Sequence, residues 1–208
     1  MTSGQYIMVG EWRPHPTEYV RMAQITAVNY LDDILPEYRE TPVGRLLEYH
    51  NLGRAMGTTA APELLIGMCM DSRKSLRIPN DFAFVLRTAG ANMRDNEFRI
   101  SYAIAVGGVR TIALIAHTDC GMARLDARRD QFVQGLVNAA GWDEPRAVRH
   151  FEESAPKFGM RDEVEFVLRE AERLRAIYPR IVVAPLLYRV EDDLLYQLRS
   201  GESVNQSV

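Results

Sequence analysis

The sequence predicts an α/β fold in which helices flank a mainly parallel central sheet that has an antiparallel C-terminal edge. Two observations predict this fold. Apolar runs without polar alternation occupy residues 63–69, 82–86 and 111–116, as expected of strands that are covered on both faces. Between these runs, apolar residues recur at steps of three and four, which indicates helices between parallel strands. The carboxyl ends of such strands form the edge of the sheet where ligands bind.

Two helices are predicted before the first strand. The stretch before Thr17 carries glycines and prolines without a regular period, which is typical of an irregular arm. A first helix is predicted from Thr17, its N-cap, because apolar residues follow at three- and four-residue steps. These residues are Val20, Ala23, Ala27, Tyr30, Leu31 and Ile34. A second helix is predicted from Pro42, after the N-cap Thr41, and should end near Gly53 or Gly57.

The rest of the chain continues the alternation of helices and strands. Residues 98–106 suit a helix, a longer helix is expected within 121–141, and the clearest helical stripe covers 164–178. The charged stretch with Pro145 and Pro156 is interpreted as a connection. Near the C-terminus three short strands are predicted, at 181–184, 186–190 and 194–198.

Length and charge limit the class of function. A chain of 208 residues can bury one substantial core, so a single domain over residues 1–208 is expected. We divide it into an N-terminal arm with its helices (1–60), a metal-binding α/β core (61–199) and a flexible tail (200–208). A net charge of -3 provides no broad basic surface. Neither nucleic acid nor membrane is therefore expected as a partner, and a small-molecule substrate fits better.

The sequence also indicates a cellular compartment. The N-terminus lacks the apolar segment of a signal peptide, and no window is long enough for a transmembrane span. We therefore expect a cytoplasmic protein. In a reducing compartment, the two cysteines act as thiols or ligands rather than as a disulfide.

Both cysteines lie in short motifs that follow predicted strands. Residues 69–73 (Cys-Met-Asp-Ser-Arg) end the first buried strand, and residues 117–121 (His-Thr-Asp-Cys-Gly) follow the third. Cys69, His117 and Cys120 are three ligands of the kind that Zn²⁺ prefers, which leaves the fourth tetrahedral position for water or a carboxylate. An open fourth position predicts catalysis rather than a structural role. The competing interpretation is that both cysteines are inert buried thiols.

Asp71 and Arg73 follow Cys69 at positions two and four. In one interpretation they form an ordinary surface ion pair, which contributes about 0–1 kcal/mol. In the other, Arg73 clamps Asp71 so that one carboxylate oxygen either accepts a hydrogen bond from a water on the metal or takes the fourth metal position itself.

The two motifs in this order resemble the signature of the β-class carbonic anhydrases, and the similarity extends from about Glu63 to the C-terminal strands. Phe84 and Tyr102 match the family's apolar pocket residues, although each could equally be a core residue. Gly121 matches the glycine whose backbone amide helps to hold substrate. The resemblance implies a β-carbonic-anhydrase-like fold with one Zn²⁺ per chain, held by Cys69, His117 and Cys120.

By resemblance, the reaction is the reversible hydration of CO₂ to bicarbonate by hydroxide on the zinc ion, so the protein would be a carbonate dehydratase, a zinc lyase. The catalytic residues implied are Asp71 and Arg73, which would help to form that hydroxide. Phe84, Tyr102 and Gly121 are the substrate-binding residues implied. The apolar pocket suits a small linear molecule.

Some positions depart from the family pattern and keep further functions open. Ala60 stands where the family often has a pocket glutamine, and Lys74 follows Arg73 where the family often has valine. Met122 replaces a second glycine and resembles the branch that contains carbonyl sulfide and carbon disulfide hydrolases. The chain could therefore be a hydrolase of either molecule with the same zinc site. It could also be a non-catalytic zinc-binding or bicarbonate-sensing protein, or a redox-active thiol protein.

The resemblance also implies assembly as a homodimer or homotetramer, because family members are dimers or higher assemblies with pockets at their interfaces. Their N-terminal helices embrace the partner. The two helices predicted between Thr17 and Gly57 are consistent with such an arm, or with cover for their own sheet.

Overall fold

The computed structural model describes residues 23–200, which contain one six-stranded sheet in the order β1-β6-β5-β4-β2-β3. The strands are β1 (Ala23–Thr26), β2 (Leu64–Cys69), β3 (Ala83–Thr88), β4 (Thr111–His117), β5 (Val182–Arg189) and β6 (Leu194–Ser200). Strands β3, β2, β4 and β5 pair in parallel, whereas β6 and β1 add antiparallel pairs. The predicted fold class is therefore confirmed. Residues 1–22 and 201–208 lie outside the described residues, and the predicted division into arm, core and tail stays a prediction.

Five α-helices lie within residues 23–200. They are α1 (Pro42–Leu52), α2 (Glu97–Ala105), α3 (Arg129–Ala140), α4 (Glu144–Phe158) and α5 (Glu163–Ile177). Helix α1 has the predicted caps. Thr41 Oγ1 accepts the backbone N–H groups of Val43 and Gly44, and Gly53 ends the helix at φ 64, a left-handed conformation that favours glycine. No helix in this part of the chain combines the length and apolar character needed to cross a membrane.

The sheet separates two apolar layers. On one face, α2 and α5 pack with residues such as Leu65 of β2 and Leu114 of β4. On the other face, α1 packs with Ile66 and Ile115 from the same two strands. Both strands are buried along their whole length, as their unbroken apolar runs predict. Helix α1 thus covers its own sheet, which was one of the two roles expected for it.

The first predicted helix is wrong over its described part. Residues Ala23–Thr26 form β1, which pairs with β6, and only a short 3₁₀ turn follows at Leu31–Asp33. Among the apolar positions that suggested a helix, Ile34 is buried, but Tyr30 is 75% and Leu31 40% exposed, so these positions do not form one buried face. As an extended strand, this segment satisfies the backbone groups that β6 would otherwise leave unpaired at the sheet edge.

Three further elements differ from the prediction. The charged stretch with Pro145 and Pro156 is not a connection but helix α4. Pro145 is compatible with its first turn, and Ala147, Phe151 and Ala155 form one buried face. The helix expected after Gly121 begins only at residue 129, after two 3₁₀ turns. The two strands expected at 181–190 form the single strand β5, because hydrogen bonding to β4 and β6 continues past its internal proline.

Candidate metal centre

The sheet topology brings the two motifs together. Cys69 is the last residue of β2 and His117 the last residue of β4, and these two strands are parallel neighbours. Cys120 lies in the loop after β4. The ligand atoms of Cys69, His117 and Cys120 all lie within 4.8 Å of one another, and all three residues are buried. The group lies at the carboxyl edge of the parallel strands, as the positions of the two motifs predict.

His117 presents one ring nitrogen to this group. Its Nδ1 lies 2.9 Å from the backbone oxygen of Thr118. Because a carbonyl oxygen can only accept, Nδ1 must carry the hydrogen, which leaves the lone pair on Nε2. Nε2 is buried without a hydrogen-bond partner among the described residues. The ring is thus fixed in the tautomer that a metal ligand requires.

The two thiols are electrostatically linked. A hydrogen bond from the Cys120 thiol lowers the pKa of Cys69, and the adjacent His117 side chain and the backbone N–H groups of Asp71 and Gly90 add to this effect against the opposing effect of burial. The Cys69 thiolate in turn raises the pKa of Cys120, whose burial acts in the same direction. The pair therefore gives up one proton easily and the second far less easily, so a metal must displace the second.

Arg73 clamps Asp71. The Arg73 side chain donates to both carboxylate oxygens, with Nη2 2.8 Å from Oδ2, and its backbone N–H donates to Oδ1 at 2.9 Å. These hydrogen bonds hold the pKa of Asp71 well below its usual range. Asp71 Oδ2 lies 4.0 Å from His117 Nε2, yet Asp71 does not belong to the group of mutually close ligand atoms. The carboxylate thus faces the centre as a hydrogen-bond acceptor.

Arg73 also binds Asp119, a contact that sequence reasoning missed. Arg73 Nη1 donates to Asp119 Oδ2 at 2.7 Å, and Nη2 donates to the Asp119 backbone oxygen at 2.8 Å. Asp119 has φ 54, an unusual conformation for a residue other than glycine. One guanidinium therefore ties the loop after β2 to the loop after β4. The only signal in the sequence was the position of Asp119 between His117 and Cys120.

Two further carboxylates, also missed, support the loop that carries Cys120. Glu163, the first residue of α5, accepts the Cys120 backbone N–H at 3.1 Å. Glu191, in the turn between β5 and β6, accepts the Thr118 hydroxyl at 2.9 Å. These partners are 43 and 73 residues away along the chain, so no local motif could have indicated them.

The structure does not bring Phe84 and Tyr102 to this centre within one chain. Where β3 pairs with β2, Phe84 lies opposite Leu65, whereas Thr88 lies opposite Cys69. It therefore lies about 13 Å before the site along the strand, at ~3.3 Å per residue. Tyr102 lies on α2 and is 55% exposed. Gly121 does adjoin the centre, directly after Cys120, and a Cβ there would meet no atom within 4 Å. The roles of all three residues stay predictions.

The residues of this centre fit a zinc ion. Two thiols and one imidazole are the ligand types that Zn²⁺ prefers, and three protein ligands are typical of a catalytic site. The unpaired, buried Nε2 of His117 supports the same interpretation, because a buried nitrogen without a partner is costly unless a ligand takes its lone pair.

The chain is similar to known proteins in sequence. Residues 64–181 match the family model described as carbonic anhydrase. A curated relative, the carbon disulfide hydrolase of Acidianus sp. (strain A1-3), is 34% identical over 96 residues, which is 44% of this chain and 47% of the relative. The chain thus spans about half the length of the curated relative that it matches.

Solved structures agree on the fold. The carbonic anhydrase of Streptococcus mutans matches with a TM-score of 0.53 at 20% identity, over 76% of this chain and 95% of that chain. The β-carbonic anhydrase isoform I of Trichomonas vaginalis matches with a TM-score of 0.57 at 17% identity, over 76% of this chain and 94% of that chain.

Proposed function

This chain belongs to the β-carbonic anhydrase family, and we propose that it holds one zinc ion and hydrates CO₂ reversibly to bicarbonate. The observation that supports this most directly is the buried group of Cys69, His117 and Cys120 with the clamped Asp71 beside it. A structural zinc site would need a fourth ligand and no such carboxylate. Both thiols must be reduced, so a cytoplasmic location is part of the proposal.

The residues around the centre have separate tasks. When bound, zinc would act as a Lewis acid and lower the pKa of a water molecule. Arg73 keeps Asp71 ionised and fixes its orientation. Asp71 Oδ2 would accept a hydrogen bond from a water molecule at the centre and so orient the water oxygen toward the substrate carbon. The backbone N–H of Gly121, next to Cys120, is the donor that we assign to a substrate oxygen.

The principal competing function is hydrolysis of carbon disulfide or carbonyl sulfide at the same site. The 34% identity with a carbon disulfide hydrolase favours it, as does Met122. The Met122 side chain lies against Gly90, whose N–H donates to Cys69. A thioether near the centre offers a polarizable surface, which suits a sulfur-containing substrate.

One experiment separates these functions. Zinc-loaded protein is tested for CO₂ hydration by stopped flow and, at the same concentration, for sulfide release from carbonyl sulfide and carbon disulfide. We expect kcat/KM for CO₂ to exceed both of the sulfide-release values by about tenfold or more. Faster sulfide release would replace the proposed function with the hydrolase, and no turnover of any substrate would identify a non-catalytic zinc protein.

We also propose that the chain assembles as a homodimer through α2 and the free edge of β3. Phe98, Tyr102 and Val106 are 83%, 55% and 67% exposed, and their spacing of four places them on one helix face. Within residues 23–200, strand β3 is an edge strand, and Phe84 on it packs against Gly107, directly after this face. An apolar stripe beside an open strand edge is typical of an interface. Phe84 and Tyr102 would then line a pocket that two copies share.

The dimer proposal predicts that one negative charge introduced on the exposed face of α2 disrupts the assembly. Phe98→Glu is expected to lower the mass measured by light scattering to that of one chain, because a carboxylate would have to be buried without a partner. Tyr30→Glu, a similarly exposed position beyond β1 at the opposite edge of the sheet, is the control and should leave the mass unchanged. An unchanged mass for Phe98→Glu would refute this interface.

A further inference from the structure

One buried lysine beside the site has no partner. Lys74 directly follows Arg73, is 4% exposed, and its Nζ makes no hydrogen bond to any of residues 23–200. In this part of the chain, the remaining buried side-chain nitrogen or oxygen atoms without a partner are His117 Nε2 and Thr88 Oγ1. His117 ends β4, and Thr88 ends β3 opposite Cys69. All three unpaired atoms thus belong to residues at one edge of the sheet.

An unpaired ammonium group is unusual in a protein interior. Lysine is almost never fully buried unless it is paired, because desolvation of its charge is costly. Among the described residues, Glu170 is the other buried side chain of the lysine, arginine, aspartate and glutamate types, and it is paired. It accepts from the Arg173 guanidinium at 2.7 Å and from the Met93 backbone at 3.1 Å. Lys74 is therefore the exception in residues 23–200, and its three N–H donors lack an acceptor there.

The surroundings of Lys74 indicate which acceptor it suits. Burial lowers the pKa of Lys74, whereas the negative groups of Cys69, Asp71 and Cys120 act in the opposite direction. Each of the three negative groups has another partner when the site is complete. Asp71 is engaged by Arg73, and the two thiolates belong to the metal ligand set. A positive donor is thus left beside the centre, and a small anion would complete its hydrogen bonds.

We propose that Lys74 binds the small monovalent anion that the reaction releases. This inference rests on the proposed function, and the anion would be bicarbonate from CO₂ or hydrosulfide from a sulfur-containing substrate. An ammonium group distinguishes these charged products from neutral CO₂, carbonyl sulfide and carbon disulfide. Lys74 therefore sets how tightly the site holds product, while the Asp71 and Arg73 pair orients water.

The lysine content of the chain allows a direct test. The sequence contains two lysines, Lys74 and the exposed Lys157 on α4. Protein labelled with ¹³C at lysine Cε should give two lysine signals, which Lys157→Met assigns. Zinc-loaded protein is titrated with sodium bicarbonate and separately with sodium hydrosulfide, with chloride keeping the ionic strength constant. We expect the Lys74 signal to shift and saturate with at least one of these anions, while the Lys157 signal stays in place.

A variant gives the second measurement. Lys74→Met keeps an unbranched side chain and should raise the dissociation constant of the bound anion about tenfold or more, whereas Lys157→Met should not change it. A Lys74 signal that does not move at saturating anion, or wild-type affinity in folded Lys74→Met, would overturn the proposal. Turnover measured on the same samples distinguishes a failure of the anion role of Lys74 from a failure of the proposed function. Turnover with an unmoved Lys74 signal refutes only the anion role, whereas a shifted signal without turnover of any substrate refutes the proposed function.

Discussion

Replacement of Cys120 by alanine is expected to weaken zinc binding about 100-fold or more, so that zinc is lost on extensive dialysis and turnover falls with it. Zinc sites of four ligands bind with about 10–16 kcal/mol, so one ligand contributes on the order of 3 kcal/mol, or about 100-fold in affinity. The loss should be larger than for a solvent-exposed ligand, because Cys120 is 4% exposed and the Met122 backbone N–H donates a hydrogen bond to its sulfur, which stabilises the thiolate. Zinc per chain after extensive dialysis, measured by plasma mass spectrometry, is the readout.

The neighbouring Met70 offers the matched control. It lies next to Cys69, is 68% exposed, and belongs to the same motif. Met70→Ala should therefore keep one zinc ion per chain. If Cys120→Ala also kept one zinc ion per chain after dialysis, Cys120 would not be a ligand. Circular dichroism of both variants shows whether the fold is intact. We expect it to be, because both substitutions lie outside β2 and β4, the two strands that carry the site.

The parts of the fold that a local pattern determines were predictable. The unbroken apolar runs of β2 and β4 are a local signature of burial on both faces, and Thr41 with Pro42 is a local signature of a helix start. The convergence of Cys69 with His117 followed from the same patterns, because parallel strands end at one edge.

Elements whose structure depends on distant partners were not predictable in the same way. Strand β1 is extended because β6, which pairs Ser200 with Ala23, offers an unpaired edge from the far end of the chain. Helix α4 contains two prolines, but its buried face packs against α3, where the ring centroids of Phe151 and Phe132 lie 5.3 Å apart. The contacts of Arg73 with Asp119 likewise join two loops that only the folded sheet brings together.

Asp71→Asn is expected to keep zinc and to lower kcat for CO₂ hydration about 10- to 100-fold, the range found for groups that orient a metal site from outside. Asp71 lies outside the group of three ligand atoms, so zinc content should stay at one ion per chain. The amide keeps the size of the carboxylate but places an NH₂ group where an oxygen accepts hydrogen bonds, and it removes the negative charge that Arg73 balances. Stopped-flow assays with zinc analysis on the same sample provide the measurement.

Asp119→Asn tests whether this effect belongs to Asp71 or to any carboxylate on Arg73. Asp119 accepts from the same guanidinium at 2.7 Å, but its side chain is 54% exposed, compared with 21% for Asp71. Loss of an exposed partner should lower kcat only a few-fold, because Arg73 keeps its hydrogen bonds to Asp71. Equal losses in the two variants would mean that Arg73 acts by joining the loops after β2 and β4. Normal turnover in Asp71→Asn would remove Asp71 from the mechanism altogether, since no second carboxylate in the described chain lies as close to His117 Nε2.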